Sequence, residues 1–464
     1  MRPLSFFHRH LPLLISGLCL ALTLRAAPAG TFFNIRDYGA VGDGKALETA
    51  AFAKAVDACV AQGGGTVYVP PGRYLTGTVQ LKSHVTLHVE GGATILGSKD
   101  PADYPDTKSV WGDDTLMIAP LIYATDAENV TITGRGTIDG QGKIWWKRLE
   151  LASPNPKRGW PAPSTPAEHA EVAKISRARP RLIRLVRCRD VLIEHVNLCN
   201  AADWTVHPML CEFVRVDGIS IHADPESHNT DGINPEACSN VHIANCRIDT
   251  GDDCVTLKSG INELGRRMGK PTENVTITNC VMYRGHGGVT IGSEMSGGIR
   301  NIAVTNCVFQ GTDNGIRIKS QRGRGGLIEG LVVSNIVMHD VPTPFIITTF
   351  YAGKDKVSDE HPVDEGTPAY RDFHFNNITV RGAKIAGAIT GLREKAIENI
   401  TFNQVQIQSE TGFAITNARD VIFTDTLIVP AKGPAVLLDN ATAIDTAGIR
   451  TRNGTPVLTG PAKP

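Results

Sequence analysis

The chain has 464 residues, with 47 glycines, 6 % aromatics, and Lys+Arg and Asp+Glu balanced at 47 each. That length can bury a large core. A net charge of zero gives no global attraction to nucleic acid or to an acidic membrane surface, so any charged ligand has to be held by a local cluster.

In chain order, residues 1–29 read as a secretory signal. Arg2, His8, Arg9 and His10 make a basic start, Leu11 to Leu24 is apolar, and Ala26, Ala27 and Ala29 offer cleavage points. The apolar run is short for a membrane span, and nothing later is longer. The mature chain, 30–464, is therefore expected outside the cytoplasm as one catalytic domain. Cys19 falls in the signal, which leaves nine of the ten cysteines, an odd number. No CxxC pair of zinc type occurs, so most are expected as core filler, with one or two disulfides open.

Ala50 to Gln62 has apolar residues at helical spacing and is stopped by Gly63 to Gly65, which predicts a capping helix. Beyond it, short β-branched runs return: Asn129–Thr133, Asp190–Glu194, Asn240–Ala244, Asn274–Thr278, Asn301–Thr305, Asn377–Arg381 and Asn399–Asn403. Each alternates apolar and polar, the pattern of a strand with one buried face. Neighbouring starts lie 34, 27 and 22 residues apart (240 to 274, 274 to 301, 377 to 399). Several strands per repeat predict a solenoid, and a parallel β-helix fits better than a sandwich or propeller. Equivalent residues then stack in columns, with buried Asn and Cys ladders expected. Residues 143–180, rich in Pro, Arg and Lys, and residues 351–370 break the rhythm and read as insertion loops. The tail from Asn453 to Pro464 reads as loose.

Asn245-Cys246, Asn279-Cys280 and Asn306-Cys307 set three coils in register. Asp252 and His286 are each seven residues past their Asn, while Arg317 and Lys319 are eleven and thirteen past theirs. Arg317 and Lys319 share the outward face, with Ile316 and Ile318 pointing inward. Asp231, in Asn229-Thr230-Asp231-Gly232, precedes Asp252 by 21 residues, about one coil. Asp252 and Asp253 are adjacent and would face opposite ways in a straight strand. Gly251 to Asp253 is therefore expected to be a turn, with both carboxylates at a cleft edge. Clustered carboxylates with an imidazole suit glycoside hydrolysis, because crowding keeps one carboxyl protonated as the acid while the others activate water. Arg317 and Lys319 suit a carboxylate-bearing sugar. Lys258, His195, His207 and Asp313 read as solvated, core or loop residues, and His228 as a possible cleft residue.

Asn229-Thr230-Asp231-Gly232, Gly251-Asp252-Asp253, Gly285-His286-Gly287 and Arg317-Ile318-Lys319, in that order, resemble the four signature motifs of family 28 glycoside hydrolases, the polygalacturonases. The likeness extends to Gly136–Gly142 with Trp145-Trp146 and to the segment around Trp204. It implies a right-handed parallel β-helix that hydrolyses galacturonan with inversion, without metal or cofactor. By the same resemblance Asp252 is the general acid, Asp231 and Asp253 activate the water, and His286 supports the acid. Arg317 and Lys319 bind the galacturonate carboxylate, with Asn229 and Tyr351 as further substrate contacts. The expected partner is pectin or its oligosaccharides, met by a monomer, with no nucleic acid or membrane involved. The insertions, and the likeness of Gly287–Gly298 to bacterial members, favour removal of residues from a chain end. A related pectin such as rhamnogalacturonan or xylogalacturonan, a calcium-assisted lyase on the same fold and a non-catalytic carbohydrate-binding β-helix are the competing readings.

Overall fold

A computed structural model describes residues 31–110, 116–173, 179–352, 355–452 and 454–459. The expected secretory signal lies outside these residues, as do Asn453 and 460–464 of the expected loose tail. Within 454–459 the chain is not loose, since Leu458–Thr459 pairs as a strand with Val436–Leu437 one coil earlier.

Helix α1 (Thr49–Ala61) turns Ala51, Phe52, Ala55, Val56 and Cys59 onto the first coils and covers that end of the core. From there the chain winds as a right-handed parallel β-helix. Each strand pairs with its equivalent one coil later, and neighbouring strands lie about 4.8 Å apart. One inward column runs Val130, Val191, Val214, Val241, Val275, Ile302, Leu331, Phe373, Ile400 and Val421. All of these side chains are buried. Burying each is favourable by about 1.5–3 kcal/mol, and one apolar residue per coil at a fixed place keeps the register from slipping.

The corners explain the repeated asparagines. Asn240, Asn274 and Asn301 have φ of 57°, 56° and 58°, a left-handed conformation that Asn tolerates well. Their side-chain amides bond from coil to coil, at 3.2 Å from Asn274 to Asn240 and 3.1 Å from Asn301 to Asn274. A second ladder joins Asn335 to Asn306 and Asn377 to Asn335. These ladders are exposed, not buried as expected, because an outside corner needs the left-handed turn and leaves the amides facing water. The cysteines do stack inside. Cys246, Cys280 and Cys307 form the expected column, and Cys188, Cys211 and Cys238 form a second. All nine described cysteines are free thiols, and no disulfide forms among the described residues.

Residues 143–173 of the segment expected as an insertion loop are partly helical. They hold α2 (Lys143–Ala152) and α3 (Pro166–Ala173), joined by an ion pair between Arg148 and Glu171 at 2.6 Å. Trp145 packs edge-on against Tyr104, and the Trp146 indole donates to the Ala201 carbonyl at 3.0 Å. These contacts plant α2 on the coils and leave the following turn, Asn155 to Trp160, standing beside the site. Among the described residues no helix is long and apolar enough to cross a membrane.

Candidate active site

A second inward column, Val206, Ile233, Val255, Val289, Ile316 and Phe345, sets the register of the site. Two positions before it stand Trp204, Asp231, Asp253, Gly287 and Asn314. Three before it stand Thr230, Asp252, His286 and Asp313. One and three positions after it, pointing outward, are His207, Asn234, Thr256, Thr290 and Arg317, and then Glu236, Lys258, Gly292 and Lys319. The expected stacking of Asp252 with His286 is present. Asp231, however, lies level with Asp253, which is 22 residues on, and Gly232 N–H bonds the Asp253 carbonyl at 3.0 Å.

The strand after the motif begins only at Val255, so Gly251 to Cys254 is a bend, as the clash of parities requires. The two carboxylates then part company. The Asp252 side chain stays 17 % exposed, with Oδ1 3.2 Å from His286 Nδ1. Asp253 is only 1 % exposed, so it lies beneath the cleft floor and not at its edge as expected. There it receives Arg317 Nη1 at 3.0 Å and Lys319 Nζ at 2.8 Å. A Cβ on Gly287 would come within 2.9 Å of Asp253 Oδ1 and closer still to Thr290, so the glycine makes room for the buried carboxylate. Asp231, Asp252 and Asp253 each place an oxygen within 4.8 Å of the other two.

Charge distributes unevenly over this trio. Asp253 loses solvation, but Lys319 and Arg317 more than offset that and hold its carboxyl far below the ordinary range. Burial pushes the Asp231 carboxyl well above its usual value, and the charges of Asp252 and Asp253 add to this, against Lys258 and Lys319. His286 is raised by its hydrogen bond to Asp252. Arg317 and Lys319 already bring to Asp253 the positive charge that a divalent cation would bring, so the donor set suits proton transfer.

The cleft in front of Asp252 and His286 has a volume of about 580 Å³. Tyr351 stands on one side, its ring 5.6 Å from the Arg317 guanidinium and 4.8 Å from Lys319 Nζ. On the other side stand Glu150, Arg158 and Trp160 from the 143–180 segment. His228 does line the cleft, 3.0 Å from Glu150 and with its ring 4.6 Å from that of Trp160. Asn229 also lines it, and its amide oxygen accepts from Arg179 at 2.8 Å. All eight residues singled out in the sequence (Asp231, Asp252, Asp253, His286, Arg317, Lys319, Asn229 and Tyr351) therefore lie in or directly beneath one cleft.

The profile of glycosyl hydrolases family 28 matches residues 59–426. The chain belongs to this family. A probable polygalacturonase from Vitis vinifera is 33 % identical over 398 residues, covering 83 % of this chain and 75 % of the relative. An exo-poly-alpha-D-galacturonosidase from Dickeya chrysanthemi is 30 % identical, covering 84 % and 70 %. The solved hyperthermoactive exopolygalacturonase from Thermotoga maritima superposes with a TM-score of 0.69 at 30 % identity, covering 89 % of this chain and 92 % of that one. As a family 28 member the protein is an enzyme, a glycoside hydrolase, and carries the parallel β-helix of its relatives.

Part of this family 28 site is not legible in the sequence. Lys258 and His207 read as bland residues, yet both are buried behind the aspartates. His207 Nδ1 accepts from Arg181 at 2.6 Å, which leaves Nε2 to donate to Glu236 at 2.8 Å. Burial and the cations Arg181, Arg184 and Lys258 press its imidazole well below the usual range, so it stays neutral. A signal for Lys258 was present: it is thirteen residues past Asn245, the offset that separates Lys319 from Asn306. Arg158 and Trp160 gave no comparable signal, because their segment lies outside the repeat.

Proposed function

We propose that the enzyme hydrolyses α-1,4-galacturonosyl linkages of pectin-type galacturonan with inversion, removing residues from a chain end. The observation that carries this reading is a cleft-facing Asp252 beside His286, over two buried carboxylates, with Arg317 and Lys319 alongside. Asp252 is the one of the three aspartates that opens to the cleft, so it donates the proton to the leaving glycosidic oxygen. Asp231 and Asp253 activate a water: Asp253, held ionised by Lys319 and Arg317, orients it, and Asp231 in its ionised form accepts its proton. Their burial favours this over direct attack, since a water reaches a recessed carboxylate and a sugar carbon does not. This recess decides for inversion even though the short separation of the carboxylates by itself fits the retaining spacing of about 5–5.5 Å better than the inverting one. Arg317 spends one N–H on Asp253 and has others in the same planar fork for a sugar carboxylate. Asn229 and Tyr351 complete the contacts, and the chain acts as a monomer without a cofactor.

Action at a chain end is supported by Glu150, Arg158 and Trp160, which the 143–180 insertion adds to the lining of the cleft, and by the exo-acting relatives. The amino-terminal basic and apolar stretch supports export, with 30–464 as one catalytic domain. Chromatography of the earliest products from polygalacturonate tests the mode of attack. Monomer or dimer from the first minutes is expected, and a ladder of intermediate lengths would refute it. Proton NMR of the same reaction should show the β-anomer first, and an initial α-anomer would overturn inversion.

A further inference from the structure

Lys258 takes no part in the chemistry assigned so far, although it stands on the same outward column as Lys319, two coils earlier, with Gly292 between them. Its side chain is 5 % exposed. Nζ lies 2.9 Å from Glu294 Oε2, 4.0 Å from Asp231 Oδ2 and 4.5 Å from the centre of the Trp204 ring. A buried Lys–Glu pair alone is a poor stabiliser, since removing both charges from water costs about as much as their attraction returns. The location suggests another use.

The two buried aspartates differ in how they are served. Asp253 is gripped by two cations at ion-pair distance. Asp231 has Thr256 Oγ1 at 3.4 Å, and the charges facing it are Asp252, Asp253, Lys258 and Lys319. Two of these favour its protonated form and two oppose it. Lys258 is the cation beside it, and the network behind Lys258 (Glu294, and Glu236 bound to the neutral His207, with Arg181 and Arg184) fixes where that ammonium sits. We infer that Lys258 is a positioning residue for Asp231: its ammonium, tethered by Glu294 and shielded by Trp204, opposes the burial and the neighbouring carboxylates that favour proton uptake there, and so lets Asp231 ionise and accept the proton of the attacking water. The inference rests on the reading of Asp231 as a water-activating base.

The test is the pH dependence of kcat and KM on polygalacturonate for wild type, Lys258→Met, Lys258→Arg and the double variant Lys258→Met with Glu294→Gln. The double variant leaves no unpaired Glu294 charge, so it stays informative where the single Met variant does not fold. In whichever Met variant folds, the acidic limb of the profile should move to higher pH. On that limb kcat should fall about tenfold or more with little change in KM. Lys258→Arg, which keeps the charge, should retain the wild-type limb. A folded Met variant with the wild-type limb, or an Arg variant shifted like the Met one, would overturn the role of Lys258. Wild type releasing no reducing ends would instead defeat the hydrolase reading of the site.

Discussion

The coils that carry the site and the coils that follow them use the same repeat in opposite ways. Around Val255–Leu257 and Val289–Gly292 the strands are three and four residues long, and their outward side chains, Thr256, Lys258 and Thr290, are polar yet buried. In the carboxy-terminal coils the strands Ala369–Thr390 and Ile397–Thr416 run 22 and 20 residues around the corners. Inside them Phe375, Phe402 and Phe423 stack with centroids 4.9 Å apart at each step, and Phe345 and Phe413 meet the stack edge-on. Cohesion is thus concentrated in aromatic packing downstream, while the middle coils tolerate buried charge and broken strands.

That division should separate cleanly under mutation. The largest effect is expected from Asp252→Asn, which keeps the side-chain shape and the Asp253 N–H bond to Oδ1 at 2.8 Å but removes the acid. Turnover should fall by about 10²–10⁴-fold, with little change in melting temperature. Near-normal turnover would remove Asp252 from its role. Phe402→Ala should do the reverse, costing about 3–5 kcal/mol in chemical denaturation while the folded fraction keeps the wild-type kcat. A loss of kcat without a loss of stability there would show that the two regions are not separate.

The smallest effect concerns His286. Its value is raised in the folded protein by Asp252, so its stabilising contribution is complete at acid pH and disappears as pH rises through that raised value. The ring is half exposed, so solvent screening keeps the contribution modest. The melting temperature of wild type should exceed that of His286→Gln in acid and converge with it in alkali. A difference constant across pH would rule out the ion pair.

Sequence reading went furthest where the repeat acts as a ruler. The offsets from Asn245, Asn279 and Asn306 placed Asp252 under His286, because one coil later means one strand spacing away. The same ruler failed by one residue at Asp231. The bend at Gly251 to Cys254 changes the coil length just there, and strand parity cannot be counted through a bend. The Asn ladders were legible as ladders but not as exposed ones, since their place at the corners follows from a positive φ that the residue type permits without demanding. Helix α2 was hidden because Lys143–Ala152 sits among prolines and charges. Its apolar side, Trp145, Trp146 and Leu151, acquires a partner surface only once the coils exist. The cleft residue Trp160 was illegible for the same reason.

The two thiol columns bear on how the molecule survives handling. While folded, Cys188, Cys211 and Cys238, like Cys246, Cys280 and Cys307, are sealed in the core and out of reach of oxidants. Heat or denaturant releases them together into one floppy polymer, where thiolate attack and air oxidation can lock mismatched crosslinks. Recovery after melting should therefore improve when a reducing agent is present.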